Sequence, residues 1–142
     1  MPQRPLVAIV DDDDSIRGAT QNLLDAAGYA TTTFSSAEGF LSSERSRSVA
    51  CVVADMRMPG MSGLELFEAL VAAGRAIPTV LVTAYPDEPT RLRARQAGIL
   101  CYLSKPFLPE ELCASVDAAL DRTPPDQSRR RPAPGAKRRT RR

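Results

Sequence analysis

Histidine and tryptophan are both absent from the 142 residues, and only 5% of the chain is aromatic. Without histidine the chain cannot form a Ser-His-Asp triad or use imidazole as an acid or base. Any catalytic chemistry must therefore use Asp, Glu, Lys, Ser, Thr, Cys or Tyr side chains. The three cysteines, Cys51, Cys101 and Cys113, lack CxxC spacing and lie in apolar segments. This pattern predicts reduced core residues and disfavours a structural zinc site.

Long apolar runs are also missing. No stretch approaches the roughly 20 apolar residues that a membrane span needs, and the N-terminus lacks the apolar region of a secretory signal. We therefore expect a cytoplasmic protein without membrane contact. With 43% hydrophobic residues, the chain is long enough for one domain with its own core.

The formal net charge of +2 conceals two regions of opposite sign. Residues 1–120 hold 10 Lys and Arg against 15 Asp and Glu, whereas residues 121–142 hold 9 against 2. From residue 123 the chain reads TPPDQSRRRPAPGAKRRTRR, without apolar periodicity, which is typical of disordered segments. We therefore predict a folded domain at 1–122 and a basic, Pro/Arg-rich disordered tail at 123–142.

Short aliphatic runs alternate with segments of helical spacing along the acidic part. The predicted strands are 6–10, 30–34, 49–54, 78–82 and 99–103, and the predicted helices are 15–27, 37–41, 63–73, 88–97 and 109–120. Such alternation favours right-handed βαβ crossovers and a parallel sheet with helices on both faces. The predicted fold class is therefore α/β, a doubly wound five-stranded parallel sheet with five helices.

Polar residues follow the apolar runs, at the edge where parallel α/β sheets bind ligands. An acidic run at 11–14 follows the first strand, Asp55 comes at the end of the third, Thr83 follows the fourth, and Lys105 follows the fifth. Two carboxylates about 4 Å apart repel by roughly 4 kcal/mol at an effective dielectric near 20, so close carboxylates need a cation, a proton or helix N-terminal amides. The acidic run is therefore either a candidate magnesium site or a strong helix cap.

From residue 6 to about residue 120 the chain resembles the receiver domain of two-component response regulators. The resemblance rests on four motifs in order: IVDDD at 9–13, VVADMRMPGMSGLEL at 52–66, VLVTAY at 80–85 and YLSKPF at 102–107. The SAE at 36–38 and the RMPGMSG segment are most similar to the subfamily that includes the nitrogen-fixation transcription regulators (FixJ type). The resemblance implies a flavodoxin-like sheet with strand order 2-1-3-4-5.

The same resemblance implies that Asp55 is the phosphoacceptor. Asp11 and Asp12 would bind Mg²⁺ together with the Asp55 carboxylate and the backbone carbonyl of Arg57. This assignment agrees with elementary chemistry, because an ionised carboxylate attacks phosphorus only if the incoming negative charge is neutralised. Mg²⁺ prefers oxygen ligands and supplies that charge. Residues 13 and 14 would then keep the capping role.

The resemblance also implies a conformational switch. Lys105 would contact the phosphoryl group as a point charge, and Thr83 would donate its hydroxyl to a phosphoryl oxygen. Tyr102 occupies the family's aromatic switch position, where a ring would swing inward when Thr83 moves; a half-buried core tyrosine is the alternative. Arg57 and Tyr85 lie two residues after Asp55 and Thr83, where bulk or charge affects the access of water to the acyl phosphate.

The expected function is that of a stand-alone response regulator receiver, because no room remains for the helix-turn-helix output domain of the subfamily. It would take a phosphoryl group from a histidine kinase or phosphotransfer protein, and then either act on a downstream protein target or pass phosphate along a relay. A homodimer through the third-helix and strand-five face is an expectation from the resemblance. No enzyme activity is expected beyond phosphorylation and dephosphorylation at Asp55.

Two other classes of function were weighed against this one. In the first, the basic tail binds DNA or RNA non-specifically under receiver control; the tail has no aromatic residues, so base stacking is excluded and the contact would be weak. The second is an Asp-nucleophile phosphatase of the haloacid dehalogenase type. The segment Asp55-Met56-Arg57 lacks the second Asp that such enzymes use as an acid, which disfavours it.

Overall fold

The computed structural model describes residues 4–99 and 101–121, so the predicted tail at 123–142 lies outside the described residues. The strands are β1 (Leu6–Val10), β2 (Ala30–Phe34), β3 (Cys51–Asp55), β4 (Thr79–Thr83) and β5 (Cys101–Ser104). The helices are α1 (Asp14–Ala26), α2 (Ala37–Ser42), α3 (Gly63–Ala72), α4 (Glu88–Ala97) and α5 (Pro109–Asp121), with a short 3₁₀ helix at Glu44–Ser48.

The five strands form one parallel sheet in the order β2-β1-β3-β4-β5, which confirms the predicted fold. Each strand follows its predecessor through a helical crossover, as the alternating pattern predicts. The register pairs Val10 with Ala54 and Thr83 with Ser104. The carboxyl ends of β1, β3, β4 and β5 therefore meet at one edge of the sheet.

The core has two layers because successive strand residues point to opposite faces. Val7 and Ile9 face the cluster that contains Leu24 of α1 and Leu112 of α5. The other layer packs α2 and α3 against the sheet; its buried members include Ala8, Val10, Phe40, Leu66 and Leu70. Burial on both faces explains why the central strands read as continuous aliphatic runs.

Two strands begin two residues later than predicted for local reasons, and every other strand boundary agrees with the prediction within one residue. β3 begins two residues later than predicted, because the Val49 N–H donates to the Ser46 carbonyl (3.4 Å) and closes the 3₁₀ helix. β5 also begins two residues late, because the Ile99 N–H donates to the Ala94 carbonyl (2.9 Å) and belongs to the end of α4. Gly98 permits this turn with a φ of +117°.

The cysteines lie in or against the core, as predicted. Cys51 belongs to the buried cluster between α1, α5 and the sheet, and Cys101 and Cys113 pack against it. Burial raises the pKa of the Cys51 thiol to about 12, so this side chain is a poor nucleophile. Among the described residues, no helix combines the length and apolar character needed to cross a membrane.

Candidate functional site

Three carboxylates converge at the carboxyl edge of the sheet. Asp11 directly follows β1, and Asp55 ends the neighbouring strand β3. One carboxylate oxygen from each of Asp11, Asp12 and Asp55 lies within 4.8 Å of the other two. Asp11 is buried, Asp55 is half-buried and Asp12 is exposed, so the cluster opens to solvent on the Asp12 side.

Lys105 contributes a positive charge to this cluster. Its Nζ lies 3.4 Å from Asp55 Oδ2 and 3.6 Å from Asp11 Oδ2. All three side chains are less than 20% exposed, so their charges interact more strongly than those of surface pairs. One ammonium contacts two of the three carboxylates, so the cluster keeps an excess of negative charge.

Burial and like charges raise the pKa of Asp11 above its ordinary value. The loss of hydration is the largest cause, and the neighbouring carboxylates of Asp55 and Asp12 add to it. The Asp13 N–H, which donates to Asp11 Oδ1 at 2.9 Å, and the ammonium of Lys105 act in the opposite direction but do not cancel the shift. An additional cation would relieve this repulsion.

The donor set fits a hard divalent cation. Carboxylate oxygens are the ligands that Mg²⁺ prefers, and an exposed Asp12 leaves room for the waters that this ion retains. Arg57 is the other residue predicted to bind the cation. Its backbone N–H donates a hydrogen bond to Asp55 Oδ1 at 3.3 Å, so its backbone lies next to the cluster. The participation of its carbonyl remains a prediction.

Thr83 and Lys105 reach the same edge from adjacent strands. Thr83 ends β4 and is 1% exposed, and its Oγ1 accepts a hydrogen bond from the Tyr85 N–H at 3.0 Å. The Lys105 N–H donates to the Thr83 carbonyl at 2.8 Å, and the peptide bond from Lys105 to Pro106 is cis. The fold thus brings together the residues that sequence reasoning selected from four separate strand ends.

The comparison with known families adds a decisive observation. The model of the response regulator receiver domain matches residues 7–117. The chain belongs to this family. The transcriptional regulatory protein FixJ of Azorhizobium caulinodans is 37% identical to this receiver over 123 residues, which are 87% of this chain. The chain spans 58% of the length of that protein and of FixJ from Bradyrhizobium diazoefficiens.

Solved structures agree with the family. The response regulator StyR is 44% identical with a TM-score of 0.76, and the match covers 84% of this receiver and 60% of that chain. FixJ-N is 32% identical with a TM-score of 0.77, and the match covers 85% of this receiver and 97% of that chain. The resemblance to the FixJ type that the motifs indicated is therefore confirmed.

Tyr102 lies on β5 with its ring packed against the apolar cluster between α3 and α4, which includes Phe67 and Ala94. The structure thus shows the ring packed against this cluster, and the switch role of Tyr102 stays a prediction. Its hydroxyl is buried and makes no hydrogen bond of ordinary geometry among the described residues, although the backbone N–H of Asp87 is close enough to act against the burial that raises its pKa. Burial is the main reason why the pKa of Tyr102 is raised, and the nearby carboxylate of Asp87 adds to the shift.

A cavity of about 520 Å³ near the acidic cluster is lined by residues from two different sequence motifs. The Arg57 guanidinium lies over the Tyr85 ring, 4.8 Å from its centroid, and both residues line the cavity with Thr83. Asp87 also lines it and caps α4, accepting from the Thr90 N–H at 2.8 Å. Sequence reasoning flagged Arg57 and Tyr85 singly but missed their contact, and it overlooked Asp87 although an Asp before Glu-Pro is a typical helix start.

Proposed function

We propose that this receiver accepts a phosphoryl group on Asp55 from a histidine kinase or phosphotransfer protein in a reaction that depends on Mg²⁺. The observation that carries the proposal is the convergence of Asp55 with Asp11, Asp12 and Lys105 at one sheet edge. The family supports the class of partner, because receivers of two-component systems act in phosphoryl transfer. The phosphorylated protein would then change a protein-binding surface or pass its phosphate along a relay.

Asp55 is the best placed of the three carboxylates to act as the acceptor. Asp11 already accepts from the Asp13 N–H and lies deeper, and Asp12 is exposed at the rim. Asp55 lies on the central strand, with the Lys105 ammonium at one oxygen and the Arg57 N–H at the other.

In the proposed step, an Asp55 carboxylate oxygen attacks phosphorus. A new bond from that oxygen to phosphorus forms while the bond from phosphorus to the donor breaks, and the donor group leaves with the electron pair. Mg²⁺, when bound, supplies positive charge against the phosphoryl oxygens. Lys105 adds a second positive charge, and Asp11 and Asp12 would hold the cation beside the acceptor.

The proposed switch uses Thr83 and Lys105. The Thr83 Oγ1 accepts from the Tyr85 N–H, which leaves its own proton available for donation to a phosphoryl oxygen. Hydrogen bonds to charged groups contribute about 1.5 to 3 kcal/mol each, so the two bonds supply at most roughly 3 to 6 kcal/mol, because Lys105 would exchange its present contact with Asp55 for one with the phosphoryl group. Converting a 1:99 equilibrium to 99:1 takes about 5.5 kcal/mol. Phosphorylation therefore reaches the free energy of a complete switch at the upper end of this range.

The experiment is incubation of the full chain with Mg²⁺ and acetyl phosphate, followed by intact mass spectrometry. We expect an increment of one phosphoryl group in the wild type and in Asp25→Asn, a control on the surface of α1. We expect no increment in Asp55→Asn, or in the wild type with EDTA in place of Mg²⁺. An unmodified wild-type protein would overturn the proposal.

A further inference from the structure

The loop at 56–62, between β3 and α3, carries Arg57 and is held firmly at both ends. At its start, the Met56 N–H donates to the Val82 carbonyl at 2.7 Å. At its end, Ser62 and Glu65 form a reciprocal capping box at the beginning of α3. The middle of the loop, around Gly60 and Met61, depends on contacts from elsewhere in the fold.

Glu38 supplies such a contact from α2. Its Oε2 accepts a hydrogen bond from the Met61 N–H at 3.0 Å, across 23 positions of the chain. The same carboxylate fills the space over Gly60: a Cβ added there would lie 2.7 Å from Oε2. Gly60 has a φ of +78°, so this close approach coincides with a backbone turn that other residues rarely adopt.

The position of Glu38 is itself fixed by packing. Its neighbour Ala37 and the nearby Phe40 are both fully buried in the layer between α2, α3 and the sheet. Met58 and Met61 of the loop pack against the same layer. The carboxylate therefore reaches the loop from a rigid base, although the side chain itself is exposed.

We propose that Glu38 is a positioning residue for the divalent cation. It holds residues 60–61 in place and so pre-orders the loop whose Arg57 carbonyl would bind the cation. This inference rests on the proposed function, because it concerns the same metal site. A loop that is already ordered loses less conformational entropy when the cation binds, so affinity is higher. Residues that orient metal ligands typically change the affinity for the metal even though they do not contact it.

The test is isothermal titration calorimetry of Mg²⁺ into the full-length protein. Glu38→Ala removes the acceptor, and we expect it to weaken Mg²⁺ binding about 3- to 10-fold. This loss is at or below the lower end of the range that removal of a ligand-orienting residue typically causes in metal affinity. Glu38→Gln keeps an oxygen that can accept from Met61, and we expect it to bind within about twofold of wild type. Glu110→Ala, which removes the exposed first-turn glutamate of α5, serves as the matched control and should leave the affinity unchanged.

Amide hydrogen exchange without metal provides a second readout. The Met61 amide should exchange faster in Glu38→Ala than in wild type and Glu38→Gln. If Glu38→Ala does not fold, Glu38→Asp, whose side chain is shorter by one methylene, takes its place with the same expectation. Unchanged Mg²⁺ affinity in the shortened variant, or an equal loss in Glu38→Gln, would overturn the inference. A wild type that binds no Mg²⁺ would instead refute the proposed function.

Discussion

Asp11 combines burial with two carboxylate neighbours, and this combination determines its effect on stability. Its pKa in the folded protein is raised above the ordinary value, mainly by burial. The native state therefore binds a proton more tightly than the unfolded chain, and the free energy of unfolding falls as pH rises through the raised pKa. At neutral pH without a divalent cation, ionised Asp11 destabilises the fold.

Asp11→Asn should consequently raise the free energy of unfolding at neutral pH in EDTA. We expect a gain of about 0.5 to 2 kcal/mol, as is common when a functional site is relieved of strain. Urea unfolding followed by circular dichroism measures it, with Asp25→Asn as a control that gains nothing. Mg²⁺ should stabilise the wild type and leave Asp11→Asn almost unaffected. A loss of stability in Asp11→Asn would contradict this electrostatic account.

Tyr85 and Arg57 should influence how long a phosphoryl group persists. Their contact lies beside Thr83 at the cavity next to Asp55, so removing the ring should open that side to water. We expect Tyr85→Ala to shorten the phosphoryl lifetime about two- to fivefold, the factor that corresponds to roughly 0.5 to 1 kcal/mol for an exposed cation–π contact.

The decay of the phosphorylated protein after removal of acetyl phosphate, followed by intact mass, measures this lifetime. Leu108→Ala is the control, since Leu108 is similarly exposed and does not line the cavity. An unchanged or longer lifetime in Tyr85→Ala would show that the ring does not limit the access of water.

The four residues of the acidic run at 11–14 have different roles in the structure. Either a metal site or a helix cap explained the run, and its residues divide between two places: Asp11 and Asp12 join the cluster with Asp55, whose donors fit a divalent cation, while Asp13 caps α1 by accepting from the Ile16 N–H. Asp14 lies in the first turn of α1 and pairs with Arg17. The resemblance to receiver domains predicted the roles of Asp11, Asp12 and Asp13, whereas the pattern of the run alone left both possibilities open.

At the scale of elements, β5 and α4 meet at Tyr102. The ring packs well, and its buried hydroxyl makes no hydrogen bond of ordinary geometry among the described residues, although the backbone N–H of Asp87 is close enough to act against the burial that raises its pKa. A buried hydroxyl whose partner is poorly aligned costs stability. We therefore expect Tyr102→Phe to leave the free energy of unfolding of the unphosphorylated protein unchanged or to raise it by up to about 1 kcal/mol.

Urea unfolding of the unphosphorylated protein measures this gain. Tyr29→Phe is the matched control, because the Tyr29 hydroxyl donates a hydrogen bond to Asp117 of α5. That variant should lose about 1 kcal/mol. If Tyr102→Phe lost as much as Tyr29→Phe, the Tyr102 hydroxyl would have a hydrogen-bond partner in the folded protein.

Element boundaries were harder to predict than the elements themselves. The apolar runs around Val49 and Ile99 look like strand, but their first residues complete the preceding 3₁₀ helix and α4. Hydrophobicity alone does not distinguish a buried helix end from a buried strand start. The short helix at Glu44–Ser48 was not predicted, because its polar sequence ERSRS has no apolar periodicity.

At the scale of the whole molecule, strand and helix alternation predicted the sheet, and the four motifs predicted which strand ends share a site. The contacts of Glu38 with Met61 and of Arg57 with Tyr85 were not predictable. Both depend on how the loop at 56–62 lies against a segment that is distant in the chain. Periodicity and motif spacing carry no information about them.

The separation of charge along the chain remains a prediction about function. The acidic part up to residue 120 contains the receiver, and the basic residues concentrate in 123–142, outside the described residues. Weak, non-specific binding of nucleic acid through that segment stays the alternative function. Its contacts would be mainly with phosphates and so would weaken with salt.

The central claim is that Asp55 itself carries the phosphoryl group. Borohydride reduction of the phosphorylated protein tests it most directly, because hydride reduces an acyl phosphate to an alcohol and leaves free carboxylates intact. Peptide mapping should then find homoserine at position 55, and only after treatment with Mg²⁺ and acetyl phosphate. Homoserine at position 11 or 12 instead, or at no position in a protein that had gained phosphoryl mass, would contradict the account.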